Sequence, residues 1–221
     1  MSSIIRCLNI AAFICGMFSV SGCGIGGPRV QGSGIARTET REVGGFTRVE
    51  SAGSANVTVQ IGEKQSVVIE TDDNILPLID TIVKGDKLLI TSHDSYSTRH
   101  GVTVTIVVPV LNEARISGSG KITASGVAAK VFDAHISGSG DIRISGSTES
   151  LEASISGSGG IDAIELAVTA ADVRVTGSGK IKVAATHSLH AKITGSGDVL
   201  YTGNPTRIEK HVTGSGSVQA M

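Results

Sequence analysis

Residues 116–122, Ile-Ser-Gly-Ser-Gly-Lys-Ile, are the first clear copy of the motif that decides the fold of this chain. Between residues 113 and 221 the Gly-Ser-Gly tripeptide inside it occurs six times, with its first glycine at positions 118, 138, 157, 177, 195 and 214, so successive copies lie 20, 19, 20, 18 and 19 residues apart. A nearly constant period of this length indicates a solenoid in which each repeat forms one coil. The repeats are too short for paired helices and are rich in Val, Ile, Thr, Ser and Gly. We therefore predict an all-β fold, a parallel β-helix (β-solenoid) with about 19–20 residues per repeat.

Aliphatic side chains flank every copy of the tripeptide at the same two positions. Ile or Val stands two residues before the first glycine and two residues after the second glycine in all six copies. The upstream set is Ile116, Ile136, Ile155, Val175, Ile193 and Val212, and the downstream set is Ile122, Ile142, Ile161, Ile181, Val199 and Val218. Because alternate residues of a strand point to the same side, we expect both sets to stack in columns inside the solenoid.

The residues between these aliphatic positions form rows of polar side chains that should face water. One row is Asp133, Glu152, Asp172 and Glu209, interrupted by His190; the next is His135, Ser154, Arg174, Lys192 and His211; a third, after the tripeptide, is Lys121, Asp141, Gly160, Lys180, Asp198 and Ser217. The rows are interpreted as solvated faces on which opposite charges limit repulsion. A divalent-cation site on the acidic row is the alternative.

The glycines of the tripeptide must have a structural reason, since glycine in the middle of a strand costs about 0.5–1 kcal/mol relative to alanine. In a straight strand both glycines would point inward and mark a close approach of opposite walls. Alternatively they mark a bend that needs a positive φ. The serine between them faces outward in the first case, and a bend could turn it inward.

Composition and motifs argue against several classes of function. Lys+Arg number 19 against 20 Asp+Glu, and aromatic residues are 3% of the chain with no Trp, so we expect no nucleic-acid partner. The six histidines show no His-Glu-x-x-His arrangement. We predict no catalytic residue, no cofactor and no dedicated metal site.

The N-terminus predicts export and lipid attachment. Residues 1–22 contain one charge and an apolar stretch of about a dozen residues, which is too short to span a bilayer and is typical of a signal peptide. Val20-Ser21-Gly22-Cys23 resembles the bacterial lipobox, in which cleavage precedes a cysteine that is then acylated. We predict Cys23 as the lipidation site and residues 23–43 as the lipidated cysteine and a flexible tether. Gly24 after the cysteine favours the outer membrane.

The segment before the repeats carries a further set of motifs. Gly53-Ser54-Ala55-Asn56-Val57 matches the repeat except for one alanine, and predicts a degenerate first copy. Together with Gly45-Phe46-Thr47-Arg48-Val49, Asp73-Asn74-Ile75-Leu76-Pro77, Gly85-Asp86-Lys87-Leu88 and the repeats, it resembles the bacterial putative autotransporter adhesin head GIN domain family. That resemblance covers about residues 44–220, and we assign residues 44–221 to one domain. It implies a right-handed β-solenoid, usually on a lipid-anchored or secreted envelope protein, with no catalytic residue to carry over.

These observations predict a lipid-anchored protein of the bacterial cell envelope whose non-catalytic solenoid binds a protein or glycan partner in adhesion. The alternatives are an envelope sensor or signalling-partner domain, for which Tyr96 and His100 in the polar loop 92–101 are the nearest irregular feature, and a glycan-active β-helix enzyme. Solenoid ends expose strand edges that recruit other chains. At the C-terminal end, either the N-terminal segment folds back over the last copy or another molecule covers it. We expect self-association there.

Overall fold

The computed structural model describes residues 29–221, which form a nearly all-β solenoid of about five turns. The strands are β1 (Val30–Gln31), β2 (Ala36–Thr40), β3 (Arg48–Gly53), β4 (Asn56–Ile61), β5 (Ser66–Asp72), β6 (Ile79–Lys84), β7 (Lys87–Ser92), β8 (Tyr96–Ser97), β9 (Thr103–Val108), β10 (Glu113–Gly118), β11 (Lys121–Gly138), β12 (Asp141–Gly157), β13 (Gly160–Gly177), β14 (Lys180–Gly195), β15 (Asp198–Thr202), β16 (Arg207–Gly214) and β17 (Ser217–Ala220). One 3₁₀-helix, Leu76–Leu78, precedes β6. The predicted fold class is confirmed.

Each coil has three consecutive parts, which we name for use below. Face A is the part that precedes a Gly-Ser-Gly tripeptide and face B is the part that follows it, while the return segment connects face B to face A of the next coil. Face A comprises residues 113–118, 132–138, 151–157, 171–177, 189–195 and 207–214; face B comprises 121–125, 141–145, 160–164, 180–184, 198–202 and 217–220; the return segments are 126–130, 146–150, 166–170 and 185–188.

Neighbouring coils pair in parallel, with the tripeptides in exact register. Gly138 is paired with Gly118 on one side and with Gly157 on the other. The differences in repeat length are absorbed around the junction of face B with the return segment and, between β13 and β14, also within the return segment, because the pairing register shifts there and nowhere on face A. Side chains on both faces therefore lie in straight columns, one coil above the next at about 4.8 Å.

The aliphatic columns form the core, as predicted. Ile116, Ile136 and Ile155 are stacked by the pairing and almost fully buried, and the downstream column that contains Ile122 is equally buried through Val199. The last turn differs. Val212 occupies the same column but is 42% exposed, because no described coil lies beyond it to cover its side chain.

The first glycine of each tripeptide makes a corner and has φ between +119° and +138°. At Gly138 both following amides, those of Ser139 and Gly140, donate to the Gly118 carbonyl oxygen of the preceding coil at 2.9 and 3.1 Å. A Cβ on Gly138 would lie 2.3 Å from that oxygen. Of the two readings of the tripeptide, the bend is therefore correct, and the serine of every copy is exposed, forming an outward hydroxyl column.

The second glycine of the tripeptide faces the core. A Cβ on Gly140 would lie 2.8 Å from Cγ2 of Ile116 and 2.5 Å from the Gly120 carbonyl oxygen. The two glycines thus serve different purposes. The first allows a backbone turn that L-residues rarely adopt, and the second leaves space for the isoleucine of the preceding coil.

The predicted degenerate first copy is confirmed. Gly53 of β3 pairs with Gly118, and Val57 of β4 pairs with Ile122, so residues 48–61 form a coil in register with the repeats. Beyond it, β7 and β9 add parallel strands, and the antiparallel strands β5 and β6 close this end of the stack. The described part of the N-terminal segment therefore covers the end opposite to the last repeat, and within residues 29–221 it does not fold back over Val212 as one of the two alternatives required.

The predicted tether is partly ordered. Within the described residues of that segment, β2 pairs antiparallel with β5 and β1 pairs parallel with β8. The five residues of β2 are all exposed, so backbone hydrogen bonds rather than apolar burial hold this strand. A strand without alternating apolar residues leaves no periodic signal, which is why the flexible interpretation was wrong for residues 36–40.

We predict that Gly138→Ala destabilises the domain by about 3 kcal/mol, because alanine must adopt a positive φ and its Cβ collides with a backbone oxygen. The free energy of unfolding from urea denaturation measures the effect. Ser139→Ala is the matched control, since its side chain is exposed and its loss should change stability by less than about 0.5 kcal/mol. Equal stability of the two variants would contradict the corner geometry.

Candidate binding surface

Face A presents three parallel columns of outward side chains. The first is Glu113, Asp133, Glu152, Asp172, His190 and Glu209; the second is Arg115, His135, Ser154, Arg174, Lys192 and His211; the third is Ser117, Ser137, Ser156, Thr176, Thr194 and Thr213. The predicted acidic and mixed rows are thus real columns. The pairing also adds a hydroxyl column beside the exposed serines, which the sequence analysis did not single out although the Ser/Thr residue before every tripeptide signals it.

Three arginines form ion pairs with two members of the acidic column: Arg115–Glu113 at 3.0 Å, Arg48–Glu113 at 3.6 Å and Arg174–Asp172 at 3.0 Å. His190 lies 3.1 Å from Asp172 and 4.0 Å from Glu209. Apart from Glu113, which is buried, these side chains are partly or largely open to solvent. The pairs therefore serve mainly to limit repulsion between stacked carboxylates.

Asp133 differs from the other members of the acidic column. Partial burial raises the pKa of its carboxyl, and the neighbouring carboxylate of Glu152 raises it further, while His135 acts in the opposite direction. Ionisation of Asp133 is therefore disfavoured in the folded protein.

Face B carries two columns in which the sign of the charge alternates. The first is Lys121, Asp141, Gly160, Lys180, Asp198 and Ser217, and the second is Thr123, Arg143, Asp162, Lys182, Leu200 and Gln219. In the second column Asp162 lies between Arg143 at 3.7 Å and Lys182 at 3.8 Å. The first column is interrupted at Gly160, and a cavity of about 400 Å³ lies there.

The acidic column contains no preformed metal site. In residues 29–221 no group of three or more His, Cys, Asp or Glu side chains is arranged to hold a metal ion. The structure thus offers no ligand cluster for the cation-binding alternative on face A.

The polar loop 92–101 is held by the N-terminal segment. Tyr96 lies in β8, which pairs with β1, and Nε2 of His100 lies 3.2 Å from the Gly34 carbonyl oxygen. Nε2 of His100 is also 3.7 Å from Asp72, a fully buried carboxylate. These contacts join the loop to the capped end of the solenoid.

The predicted signal peptide and the predicted lipidation site Cys23 both lie outside the residues that the structure describes. Between Arg29 and Met221 the structure contains no helix long and apolar enough to cross a bilayer.

Comparison with known proteins identifies the same fold. Residues 45–205 match the sequence family described as "Putative auto-transporter adhesin, head GIN domain". A solved structure of a putative adhesin from Bacteroides fragilis superposes with a TM-score of 0.73 at 22% identity, covering 87% of this chain and 100% of that one. A putative lipid binding protein from Parabacteroides distasonis gives a TM-score of 0.53 at 23% identity, covering 88% and 100%. A putative adhesin from the same species gives 0.52 at 20% identity with the same coverage. No curated protein matches the chain.

The raised pKa of Asp133 predicts a pH-dependent stability. A carboxyl whose pKa is higher in the folded than in the unfolded state holds protons more tightly when folded, so its contribution to stability falls as the pH rises through that range. We expect Asp133→Asn to stabilise the domain at pH 7 by about 0.5 kcal/mol, a value reduced by solvent screening, and the gain to disappear near pH 3.

Urea denaturation at the two pH values measures this difference. Asp172→Asn is the control in the same column, because Asp172 pairs with Arg174 and His190. Its loss should lower stability at pH 7 by about 0.5 kcal/mol. A destabilising Asp133→Asn at pH 7 would show that the carboxylate is favourably paired.

Proposed function

Because the chain belongs to the family of putative auto-transporter adhesin head GIN domains, we propose that it is a lipid-anchored protein of the bacterial cell envelope whose solenoid binds a surface partner without catalysis. The observation that carries the proposal is the unbroken register of faces A and B, which extends the same polar pattern over successive coils. A repetitive surface of this kind suits a ligand that is itself extended or repetitive.

The regular coil lengths support a binding role over an enzymatic one. Glycan-active enzymes place two carboxyl groups at a defined separation across the scissile bond. In the repeat region, the carboxylates of face A stand in one column along a flat surface, and the coil-length differences are taken up in shifts of a few residues at the return segments. No large loop rises between these coils to build a cleft.

The anchor is proposed to be an acylated Cys23. Only seven positions separate Cys23 from Val30, where β1 begins, a span of at most about 25 Å. Acylation at Cys23 would therefore hold the capped N-terminal end of the solenoid close to the membrane and direct the last repeat away from it. We propose the outer membrane as its location, on the basis of Gly24 after the cysteine.

The far end of the solenoid is proposed to bind a second copy of the chain. Ile208 and Val212 are 40% and 42% exposed there, although the equivalent residues of the preceding coils are buried. The outer edges of β16 and β17 also have no strand partner within residues 29–221. Apolar side chains beside a free strand edge are the features that a second solenoid end could cover.

Lipidation predicts the behaviour of two cysteine variants. Cys23→Ser should abolish incorporation of labelled palmitate and move the protein from the detergent phase to the aqueous phase, since the acyl chains supply the membrane affinity. Cys15→Ser changes a residue of the predicted signal peptide and should remain lipidated. Continued labelling of Cys23→Ser would overturn the assignment.

Site-specific photo-crosslinking on intact cells tests the binding function. A crosslinking amino acid at Thr176, exposed on face A, should capture a surface partner, whereas the same group at Thr169, exposed on a return segment, should capture little. Placed at Val212, it should give a species of twice the monomer mass.

The outcomes separate the parts of the proposal. Equal or absent capture at Thr176 and Thr169 argues against a binding role for face A. Absence of the doubled species, together with sedimentation of the soluble form as a monomer at micromolar concentration, argues against self-association alone.

A further inference from the structure

The cavity on face B includes a column position that carries no side chain. Gly160 stands in the first column of face B between Asp141 and Lys180, and it is paired to both through the backbone. Two coil spacings, about 9.6 Å, therefore separate the side chains on either side of the gap. Gly160 is in a regular strand and has no positive φ, so the turn geometry that requires glycine in the tripeptides does not require it here.

The space above Gly160 is shallow and chemically mixed. A Cβ at this position would lie 2.8 Å from Oδ1 of Asp141, 3.9 Å from the Lys180 carbonyl oxygen and 4.0 Å from Cγ of Asp141. The wall of the cavity, of about 400 Å³, is completed by the hydroxyl-bearing residues Ser158 and Ser178 at the adjoining corner. The Asp141 carboxylate therefore leans over the glycine, and a group bound in the cavity would contact it directly.

The charged groups around the cavity have a net positive sum. Four cationic side chains, Lys121, Arg143, Lys180 and Lys182, line it together with the two carboxylates Asp141 and Asp162. Asp162 is already shared between Arg143 and Lys182 at 3.7 and 3.8 Å, and Lys180 is 4.0 Å from Asp198. A bound anion would add to weak, solvent-exposed pairs and would not have to break a buried one.

The combination of lysines, aspartates and serines around the cavity favours some classes of anionic ligand over others. A bare phosphate or sulfate would be attracted to the lysines but repelled by Asp141, an exposed carboxylate to which it offers no hydrogen-bond donor. A sugar that carries a carboxylate satisfies both requirements, because its anionic group pairs with the lysines while its hydroxyls donate to Asp141 and exchange hydrogen bonds with the serines.

We propose that the Gly160 cavity binds an acidic sugar residue of a carboxylated glycan. This inference rests on the proposed binding function and names its ligand class and its site. The contacts assigned to the ligand are Lys180 and Lys182 for the carboxylate, and Asp141 and Ser158 for ring hydroxyls. The neighbouring columns of face B would carry the adjacent units of the same glycan.

Titration calorimetry with trigalacturonate, compared with the neutral galactotriose, tests the proposal on the purified protein. We expect the acidic trisaccharide to bind at least tenfold more tightly than the neutral one. Gly160→Thr should weaken that binding by tenfold or more while leaving the thermal unfolding midpoint unchanged or higher, because threonine fills the cavity but suits a strand.

Charge variants provide the matched control. Lys180→Gln should weaken binding by about fivefold or more, whereas Lys192→Gln removes the same charge from face A and should have no more than a twofold effect. Binding that is unaffected by Gly160→Thr, equal affinity for galactotriose, or tighter binding of polyglutamate than of trigalacturonate would overturn the proposal. So would a lack of binding to trigalacturonate, glucuronate oligomers and sialyllactose alike.

The crosslinking experiment on intact cells distinguishes failure of the acidic-sugar proposal from failure of the proposed binding function. Capture of a partner from face A at Thr176 without any acidic-sugar binding would retain the binding function and discard the sugar site. Loss of both would discard the two together.

Discussion

The close approach of backbones at the Gly-Ser-Gly corners is the constraint on which the rest of this structure depends. At each corner one coil lies so close to the next that a Cβ on the first glycine would be 2.2–2.4 Å from the carbonyl oxygen of its counterpart. The same oxygen accepts hydrogen bonds from the amides that follow. A side chain there would separate neighbouring coils and break these bonds at once. The glycine column therefore locks the register of every coil to that of its neighbours.

Everything on the outside of the molecule follows from this locked register. Because faces A and B allow no slip, residues at equivalent positions form columns, and insertions or deletions of a residue are confined to the return segments and their junction with face B. Stacked like charges would then repel at strand spacing. The columns reduce this repulsion by alternating signs on face B and by pairs such as Arg174–Asp172 on face A, while Asp133 and Glu152 remain stacked like charges. The polar surface is thus a consequence of stacking as well as a candidate for recognition.

The positions that break the regular repeat are the ones best suited to specific binding. Gly160 leaves a cavity in an otherwise filled column, and Val212 exposes a side chain that every earlier coil buries. A perfectly repeated surface would offer the same weak contact everywhere. A gap flanked by lysines and aspartates offers one place where shape and charge coincide, and an uncovered last turn offers one place where apolar surface remains to be buried.

The repeat, the inward columns and the degenerate first copy at Gly53 could all be predicted from the amino-acid sequence, since a fixed period and strict alternation are local patterns that backbone geometry translates directly into coils. The sequence did not reveal the ordering of β2, whose exposed residues have no apolar period and are held only by backbone pairing with β5. Nor could it choose between a straight strand and a bend at the tripeptide, because glycine permits both. Only the tertiary structure decided that choice, the outward serines, the cavity beside Gly160 and the capped end, since each depends on what lies one coil away in space, about twenty residues away in the chain.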